Sequence, residues 1–409
     1  MRIKVPKIYL YEKQTLVRLL FYSGMLIAYL GSLNPWFFWS IGALNLVLAS
    51  SLLLGSMLLA RTMTAPFFTY EKIFFSLLSY VAIVSYQLMV NEETLGAFLA
   101  FPFNVFIFLS LFMVKKNELA GLADFMSKAM GVLMLFSMPF FLLYLVGFPL
   151  PSVNAQFRDG YYTFSNYFFF LIDDRFVTTI IPRFQSVFLE PGHLGTATTF
   201  LLFTQIGKWK KWYNIILLVA TLITFSLSAY LLLTAVVILH LWIRRKHFIG
   251  KLLGVAALFA GVTTASFFYN DGDNMLHDLI ILRLEVEDGD IVGNNRVTED
   301  FQAEFDNFLE SSDIFLGRDM DYDMFGNSGY QVFIYENGLI GLFLLIAFYG
   351  LSTMRFRDRR AFVSVMLVAL LAFLARGYLM SYNYYIPFYC MAYFLPFADA
   401  ETEKEEERR

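Results

Sequence analysis

Apolar residues gather in runs of membrane-spanning length, separated by short polar breaks, along nearly the whole chain. Such runs lie near 16–33, 36–60, 72–90, 95–114, 123–149, 193–207, 248–268, 332–352, 360–379 and 382–398. A helix needs about 20 residues to cross ~30 Å of hydrocarbon, and the runs are of that order. Between the sixth and seventh runs, residues 212–242 form one apolar stretch too long for a single helix. Thr224, Ser226 and Ser228 near its middle predict a polar reversal between two short spans. The pattern therefore predicts about twelve transmembrane helices in an all-α polytopic membrane protein. A single strongly tilted helix over 212–242 would give eleven and place the C-terminus outside.

Two long segments interrupt the runs and divide the chain. Residues 1–149 form an N-terminal five-helix part and 150–192 a first long outer segment. Residues 193–268 hold helices six to nine, and 269–331 a large acidic outer loop. Residues 332–398 form a C-terminal three-helix part, and 399–409 a cytoplasmic tail. The acidic loop carries sixteen acidic residues against Arg283, Arg296 and Arg318, and no lysine. Within it Phe301, Phe305, Phe308 and Leu309 recur at helical period, which predicts a helix packed down over the mouth of the bundle. No internal repeat of the transporter kind is visible.

Composition agrees with this layout. The 409 residues are 58% hydrophobic, 19% aromatic and 16% charged, with a mean hydropathy of +0.58. A soluble chain of this length could not bury so much apolar surface. The net charge of −3 matters less than where the charges fall. With Arg2, Lys4, Lys7 and Lys13 inside, the inner loops carry Arg61 and Lys72, Lys115 and Lys116, and then Lys208, Lys210 and Lys211. Arg244, Arg245, Lys246 and Lys251 follow, and then Arg355, Arg357, Arg359 and Arg360. The short outer loops at 33–36, 91–94 and 380–382 carry none, which satisfies the positive-inside rule with both termini cytoplasmic. Cys390 is the one cysteine, so an intramolecular disulfide is excluded. The N-terminus has no h-region with a small-residue cleavage site, so the first run is expected to remain as a span.

The candidate chemistry centres on Arg183-Phe184-Gln185-Ser186-Val187-Phe188-Leu189-Glu190-Pro191-Gly192-His193-Leu194-Gly195. Ionisable groups at the mouth of a membrane helix are costly and therefore functional candidates. Pro191 suits a first helical turn, whose N–H groups would face the loop carrying Arg183 and favour an anion there. Glu190 and His193, three residues apart, share a helix face and could act together on a hydroxyl. A capped helix start with snorkelling polar groups is the alternative.

Arginines on the outer side are unusual, yet Arg158, Arg175, Arg183, Arg296 and Arg318 fall there, with Arg376 near the outer end of the eleventh span. Guanidinium binds phosphate bidentately. Pairing with nearby acids is the alternative, Asp173 and Asp174 for Arg175 and Asp319 for Arg318. Snorkelling is the alternative for Arg376. Glu336 is a third acid at an outer helix end, as base or cap. The clusters Asn270–Asn274 and Asp319–Asp323 lack a full calcium-loop pattern and are read as solvated acidic loops. His193, His240, His247 and His277 have no zinc-ligand spacing. No metal or other cofactor, and no nucleic-acid partner, is expected. Tyr161, Tyr162, Tyr167 and Phe168 to Phe170 suit an interfacial aromatic belt or stacking on sugar rings.

Three stretches, in order, carry a family resemblance. Arg183 to Pro191 resembles the R-x-x-G-x-F-x-E-P segment of bacterial Wzy-type polysaccharide polymerases and the related O-antigen ligases. Asn294-Asn295-Arg296 resembles the arginine at the start of their large outer loop. Gly326-Asn327-Ser328-Gly329-Tyr330 with Glu336-Asn337-Gly338-Leu339-Ile340-Gly341 resembles that loop's end and its following helix. Thr224-Phe225-Ser226 resembles their reversal between two short spans.

The resemblance implies a GT-C-like membrane glycosyltransferase that joins undecaprenyl-diphosphate-linked oligosaccharide repeat units at the outer face of the cytoplasmic membrane. The product would be O-antigen, capsule or exopolysaccharide, with membrane lipids and a chain-length regulator as further partners. It implies that Arg183 and Arg296 engage the diphosphate and that Glu190 or His193 activates the acceptor hydroxyl. Arg318, Arg376, Asn327 and Glu336 would complete the substrate site. Ligases of the family have a histidine-asparagine pair where Gly326-Asn327 stands here, which favours the polymerase. The arginine with a glycine sixteen residues on, described for some polymerases, is not met at Arg175, Arg183 or Arg296. A ligase of the same superfamily and a lipid-linked sugar flippase are the alternatives. The flippase would need charged groups deep in the spans, whereas the polar residues here cluster at outer ends.

Overall fold

The computed structural model describes residues 7–63, 66–68, 73–90, 95–157, 162–174, 182–244, 248–272, 274, 277, 286–287, 290–291, 299–320, 329–353, 359–375 and 382–390. The described residues are mostly helical, at 77%. Among the described residues, Glu12–Ser32, Leu95–Met113, Asn117–Leu145 and Tyr330–Thr353 are long and apolar enough to cross a membrane, and six shorter apolar helices accompany them.

The first half of the bundle comprises α1 (Lys7–Ser32), α2 (Trp36–Trp39), α3 (Leu44–Ala60), α4 (Ile73–Val90), α5 (Leu95–Met113) and α6 (Lys116–Leu145). Helix α1 lies along α3, and α4 along α5. One end is locked where Arg18 of α1 pairs with Glu118 of α6, through Nε to Oε2 at 2.8 Å and Nη2 to Oε1 at 2.7 Å. The run 36–60 was expected as one span, and the structure divides it. A turn at Ser40–Ala43 separates α2 from α3, with Gly42 at φ +48°. A glycine takes that left-handed conformation without the clash a Cβ would bring. The aromatic stretch Trp36-Phe37-Phe38-Trp39 hides the break from any hydropathy reading.

At the other end of the bundle lies a sheet of three antiparallel strands, β1 (Val153–Phe157), β2 (Tyr162–Asn166) and β3 (Leu171–Asp173), in that order. Its register pairs Ala155 with Phe164 and Phe164 with Asp173. Strand β2 alternates buried and half-buried positions, the period-2 pattern of a strand with one covered face. The cover is Trp39, whose ring packs tilted against those of Phe157 and Phe164. The sheet departs from the all-α expectation, which treated 150–192 as an extended segment. The helical bundle itself agrees with that expectation.

Helices α7 (Pro191–Thr204), α8 (Trp212–Ile223), α9 (Leu227–Arg244) and α10 (Phe248–Phe268) follow. The expected reversal is present, with α8 ending at Thr224 and Phe225 at φ +45° before α9 begins. Helix α7 is the buried axis of this half, packed by α6, α8 and α9, and nearly every residue from Gly192 to Thr204 is buried. Its hydroxyls are satisfied within the bundle. Thr196 and Thr199 donate to the carbonyls of Gly192 and Gly195 at 2.9 and 2.8 Å, and Thr198 meets Thr221 of α8 at 2.6 Å. Small hydroxylated residues of this kind let membrane helices approach and bond closely. At 14 and 12 residues, α7 and α8 rise only about 20 Å each. Both are shorter than the ~30 Å of a hydrocarbon core.

The pairs β4 (Val286–Glu287) and β5 (Asp290–Ile291) precede α11 (Glu299–Leu309), α12 (Tyr330–Thr353), α13 (Arg359–Ala375) and α14 (Ile386–Cys390). The helical period read in 301–309 is confirmed, since Phe301, Phe305 and Phe308 pack with Val332 and Tyr335 of α12. Helix α12 is interrupted at Gly338, which stands at φ +60° and ψ −171°. The run 382–398 begins as a 3-10 turn (Tyr382–Tyr385) and α14. Residues 391–409 lie outside the described residues.

Candidate functional site

The approach to α7 is a threaded segment whose backbone is held from three sides. Leu171 N of β3 donates to Ser186 O at 2.8 Å, and Trp36 N to Val187 O at 3.0 Å. Phe184 N donates to Ile223 O at 3.2 Å, at the end of α8. Phe184 and Phe188 supply the apolar anchors and are fully buried. Phe184 sits against Phe141 of α6, with ring centroids 5.0 Å apart. Between the anchors the chain must turn, and Ser186 does so at φ +54°. The left-handed region costs a non-glycine residue about 1–3 kcal/mol. Ser186 stands at the glycine position of the R-x-x-G-x-F-x-E-P pattern that residues 183–191 resemble.

Arg183 leaves this segment beside the turn between α8 and α9. Its Nε donates to Thr224 O at 3.1 Å. A cation there complements the negative end of the α8 dipole, worth about 0.3–1 kcal/mol. Arg183 also lines a small cleft with Ile172, Asp173, Pro182, Gln185 and Pro191. Two of these polar side chains are deeply buried, Asp173 at 5% and Gln185 at 2% exposure. The Gln185 Nε2 group and the Ser186 hydroxyl have no hydrogen-bond partner among the described residues. A buried donor left unmade costs about 1–3 kcal/mol, so the fold retains two such costs beside one guanidinium.

Glu190 is the N-cap residue of α7, with extended backbone at φ −142° and Pro191 in the first turn. Its carbonyl accepts from His193 N at 3.1 Å and Leu194 N at 3.3 Å. The side chain does not cap the helix; Oε1 accepts instead from the Tyr162 hydroxyl of β2 at 3.4 Å. His193 is in the first turn and half-buried. Arg183, Glu190 and His193 are therefore brought to one locality, at the sheet end of the bundle.

Arg318 and Glu336 belong to a second group on a different set of helices. Arg318 was expected either at substrate or beside Asp319. Its actual partners are Asp313 and Glu304, with Nε to Asp313 Oδ2 at 2.7 Å and Nη1 to Glu304 Oε1 at 2.8 Å. The Asp313 hydrogen bond, reinforced by Tyr335 and Glu304, raises its guanidinium above the ordinary arginine value. Arg318 N also donates to Tyr335 O at 2.7 Å. This fastens the stretch 312–318 across the break in α12. Tyr86 of α4 donates to both Leu316 O and Asn337 O at 3.0 Å. Gly317 and Gly338 face each other's backbones so closely that a Cβ on either would overlap a carbonyl, of Glu336 or Phe315 respectively. Glu336 is buried to 9% exposure at this break.

Arg296, Arg376 and Asn327 lie outside the described residues, as do Arg158 and Arg175. Around Asn270–Asn274, Asn274 makes local turn bonds, its Nδ2 donating to Ser266 O at 2.6 Å and Tyr269 O at 3.0 Å. Among the described residues no group of three or more His, Cys, Asp or Glu is placed to hold a metal ion. The reading from sequence missed Asp173 as a cleft residue, assigning it to Arg175, and did not consider Gln185. Neither carries a local signal, because the register of β3 brings Asp173 to the cleft. Comparison of the chain with protein-family models, with curated proteins and with solved structures gives no match.

Proposed function

We propose that the chain is a membrane glycosyltransferase that polymerises undecaprenyl-diphosphate-linked oligosaccharide repeat units. The reading places about twelve spans in the cytoplasmic membrane, both termini in the cytoplasm and the sheet end outward. The observation that carries it is the cleft at Arg183, where a guanidinium, a buried carboxylate and a buried unmade donor meet beside Glu190 and His193. A one-sided polar site at a bundle end suits an enzyme that draws lipid substrate from one leaflet.

Arg183 takes the donor diphosphate, and Arg296 is the second cation of the proposal. Fixed positive charge at the leaving oxygens stabilises the charge that develops there. The acceptor hydroxyl attacks the anomeric carbon as the bond from that carbon to the diphosphate oxygen breaks. Its proton passes to Glu190 or His193, and the electron pair leaves with the lipid diphosphate. That leaving group is already good, so the step demands charge stabilisation and orientation more than a strong base.

The test is complementation in a deletion strain. Restoring Arg183→Ala is expected to leave single repeat units in place of polymer. Long polymer accumulating unattached would assign the chain to the ligases, and loss of outer-leaflet repeat units would assign it to the flippases. Either outcome overturns the reading.

A further inference from the structure

The turn between α7 and α8 lies at the end of α7 away from the sheet, and it reads Lys208-Trp209-Lys210-Lys211-Trp212. Its backbone and aromatic anchors are fixed by neighbouring helices. Trp209 Nε1 donates to Leu202 O at 3.1 Å, and its ring stacks on His240 of α9 with centroids 5.0 Å apart. Asn214 Nδ2 donates to Lys208 O at 2.9 Å. Tyr213 lies so close to Gly131 of α6 that a Cβ there would overlap it, and its hydroxyl donates to Asp124. Lys128 Nζ meets the same carboxylate at 2.7 Å, so Asp124 already has its cation. What this rigid turn presents outward is Lys210, Lys211 and Trp212, all exposed. Trp212 shares a face of α8 with Ile215, Val219 and Leu222, which are exposed as well and recur at helical spacing. An exposed apolar stripe on a helix of a membrane bundle faces lipid, and a tryptophan at its end sits at headgroup level. The two lysines stand just beyond that tryptophan. The first turn of a helix favours carboxylates, yet Lys211 is the N-cap residue, its side chain makes no cap, and no acidic residue follows in the first turn. Neither lysine belongs to an ion pair among the described residues. Two like charges thus stand together at the positive end of a helix, and an anion is what relieves them.

We infer that Lys210, Lys211 and Trp212 form a docking site for the headgroup of an anionic phospholipid, with the lysines taking the phosphate and the indole lying among the headgroups. The occupant is a lipid of the adjoining leaflet, because the charges continue directly from the lipid-facing stripe of α8. A soluble ion would have no use for the exposed indole between them. Lysines beside an anionic membrane surface attract it over a Debye length and lose that attraction in salt. The inference is independent of the proposed glycosyl transfer, since the turn lies at the other end of α7 from the Arg183 segment.

The test uses purified full-length protein in nanodiscs of phosphatidylcholine. A fifth of the lipid is brominated phosphatidylglycerol or, in a matched set, brominated phosphatidylcholine. Bromine quenches tryptophan at contact, and the part of the quenching that Trp212→Phe removes reports the lipid at this turn. In the parent that part is expected to be at least twofold larger with phosphatidylglycerol at low salt, and to fall toward the phosphatidylcholine value as salt is added. Lys210→Gln combined with Lys211→Gln is expected to abolish the difference and leave quenching by phosphatidylcholine unchanged. Lys210→Arg combined with Lys211→Arg keeps the charge and is expected to keep the difference, which holds the test open where the glutamine pair fails to fold. Equal quenching by the two lipids in the parent overturns the site. So does a difference that survives the glutamine pair, or one that the arginine pair abolishes. A difference erased by inorganic phosphate at matched ionic strength assigns the lysines to a soluble anion and overturns the lipid as occupant.

Discussion

Two arginine-bearing breaks in the bundle carry similar residues and come to opposite ends. At Arg318, two carboxylates at 2.7 and 2.8 Å and a backbone bond to Tyr335 absorb the charge. The glycines at 317 and 338 close the backbone around the break until there is no room for a Cβ. At Arg183, Nε donates to a helix-end carbonyl, and among the described residues the segment beside it keeps a buried amide nitrogen and a buried hydroxyl unmade. The strained φ of Ser186 lies in the same turn. Polar groups and charge alone do not distinguish a site from a clasp. The first break is a clasp, and beside the second a buried amide nitrogen and a buried hydroxyl stay unmade among the described residues.

The largest expected difference between the two is catalytic. Arg183→Ala should lower polymer formation in vesicles at least 100-fold, about 2.7 kcal/mol of transition-state stabilisation. Arg318→Ala should lower it less than fivefold in the same assay. Next in size is backbone fit at the clasp. Gly338→Ala forces a Cβ into the Phe315 carbonyl at positive φ and should cost about 3 kcal/mol, read as lowered thermal stability in detergent. Arg318→Ala removes a half-exposed double pair and should cost about 1 kcal/mol by the same measurement. The smallest effect is at the site itself and has the opposite sign. Ser186→Gly relieves a left-handed serine and an unmade hydroxyl, so it should raise stability by up to about 1 kcal/mol.

What could be read from the sequence follows the range of the forces involved. The break between α8 and α9 was legible because Thr224, Ser226 and Ser228 interrupt an apolar run where lipid would punish them. Helix α11 was legible because Phe301, Phe305 and Phe308 recur at its period. The turn at residues 40–43 was not, since Trp36 to Trp39 score as membrane interior while lying across the sheet end. The sheet was not, because strands of three to five residues in an aromatic-rich stretch give little periodic signal. Arg183 and Glu190 announced themselves by the cost of charge beside an apolar helix. Asp173 and Gln185 reach the cleft through the pairing of β3 with β2 and the threading of 183–188. That is tertiary register and leaves no mark in local sequence. The acid partners of Arg318 were misjudged for the same reason, as Glu304 comes from a helix 14 residues upstream.

The contrast between the two arginines is tested most directly by polymer length in one assay. Membrane vesicles holding the parent chain, Arg183→Ala or Arg318→Ala at matched amounts are given lipid-linked repeat units, and the products are separated by size. A polymer ladder from the parent and from Arg318→Ala, with single repeat units alone from Arg183→Ala, is the predicted result. A ladder from Arg183→Ala equal to that of the parent would contradict the account.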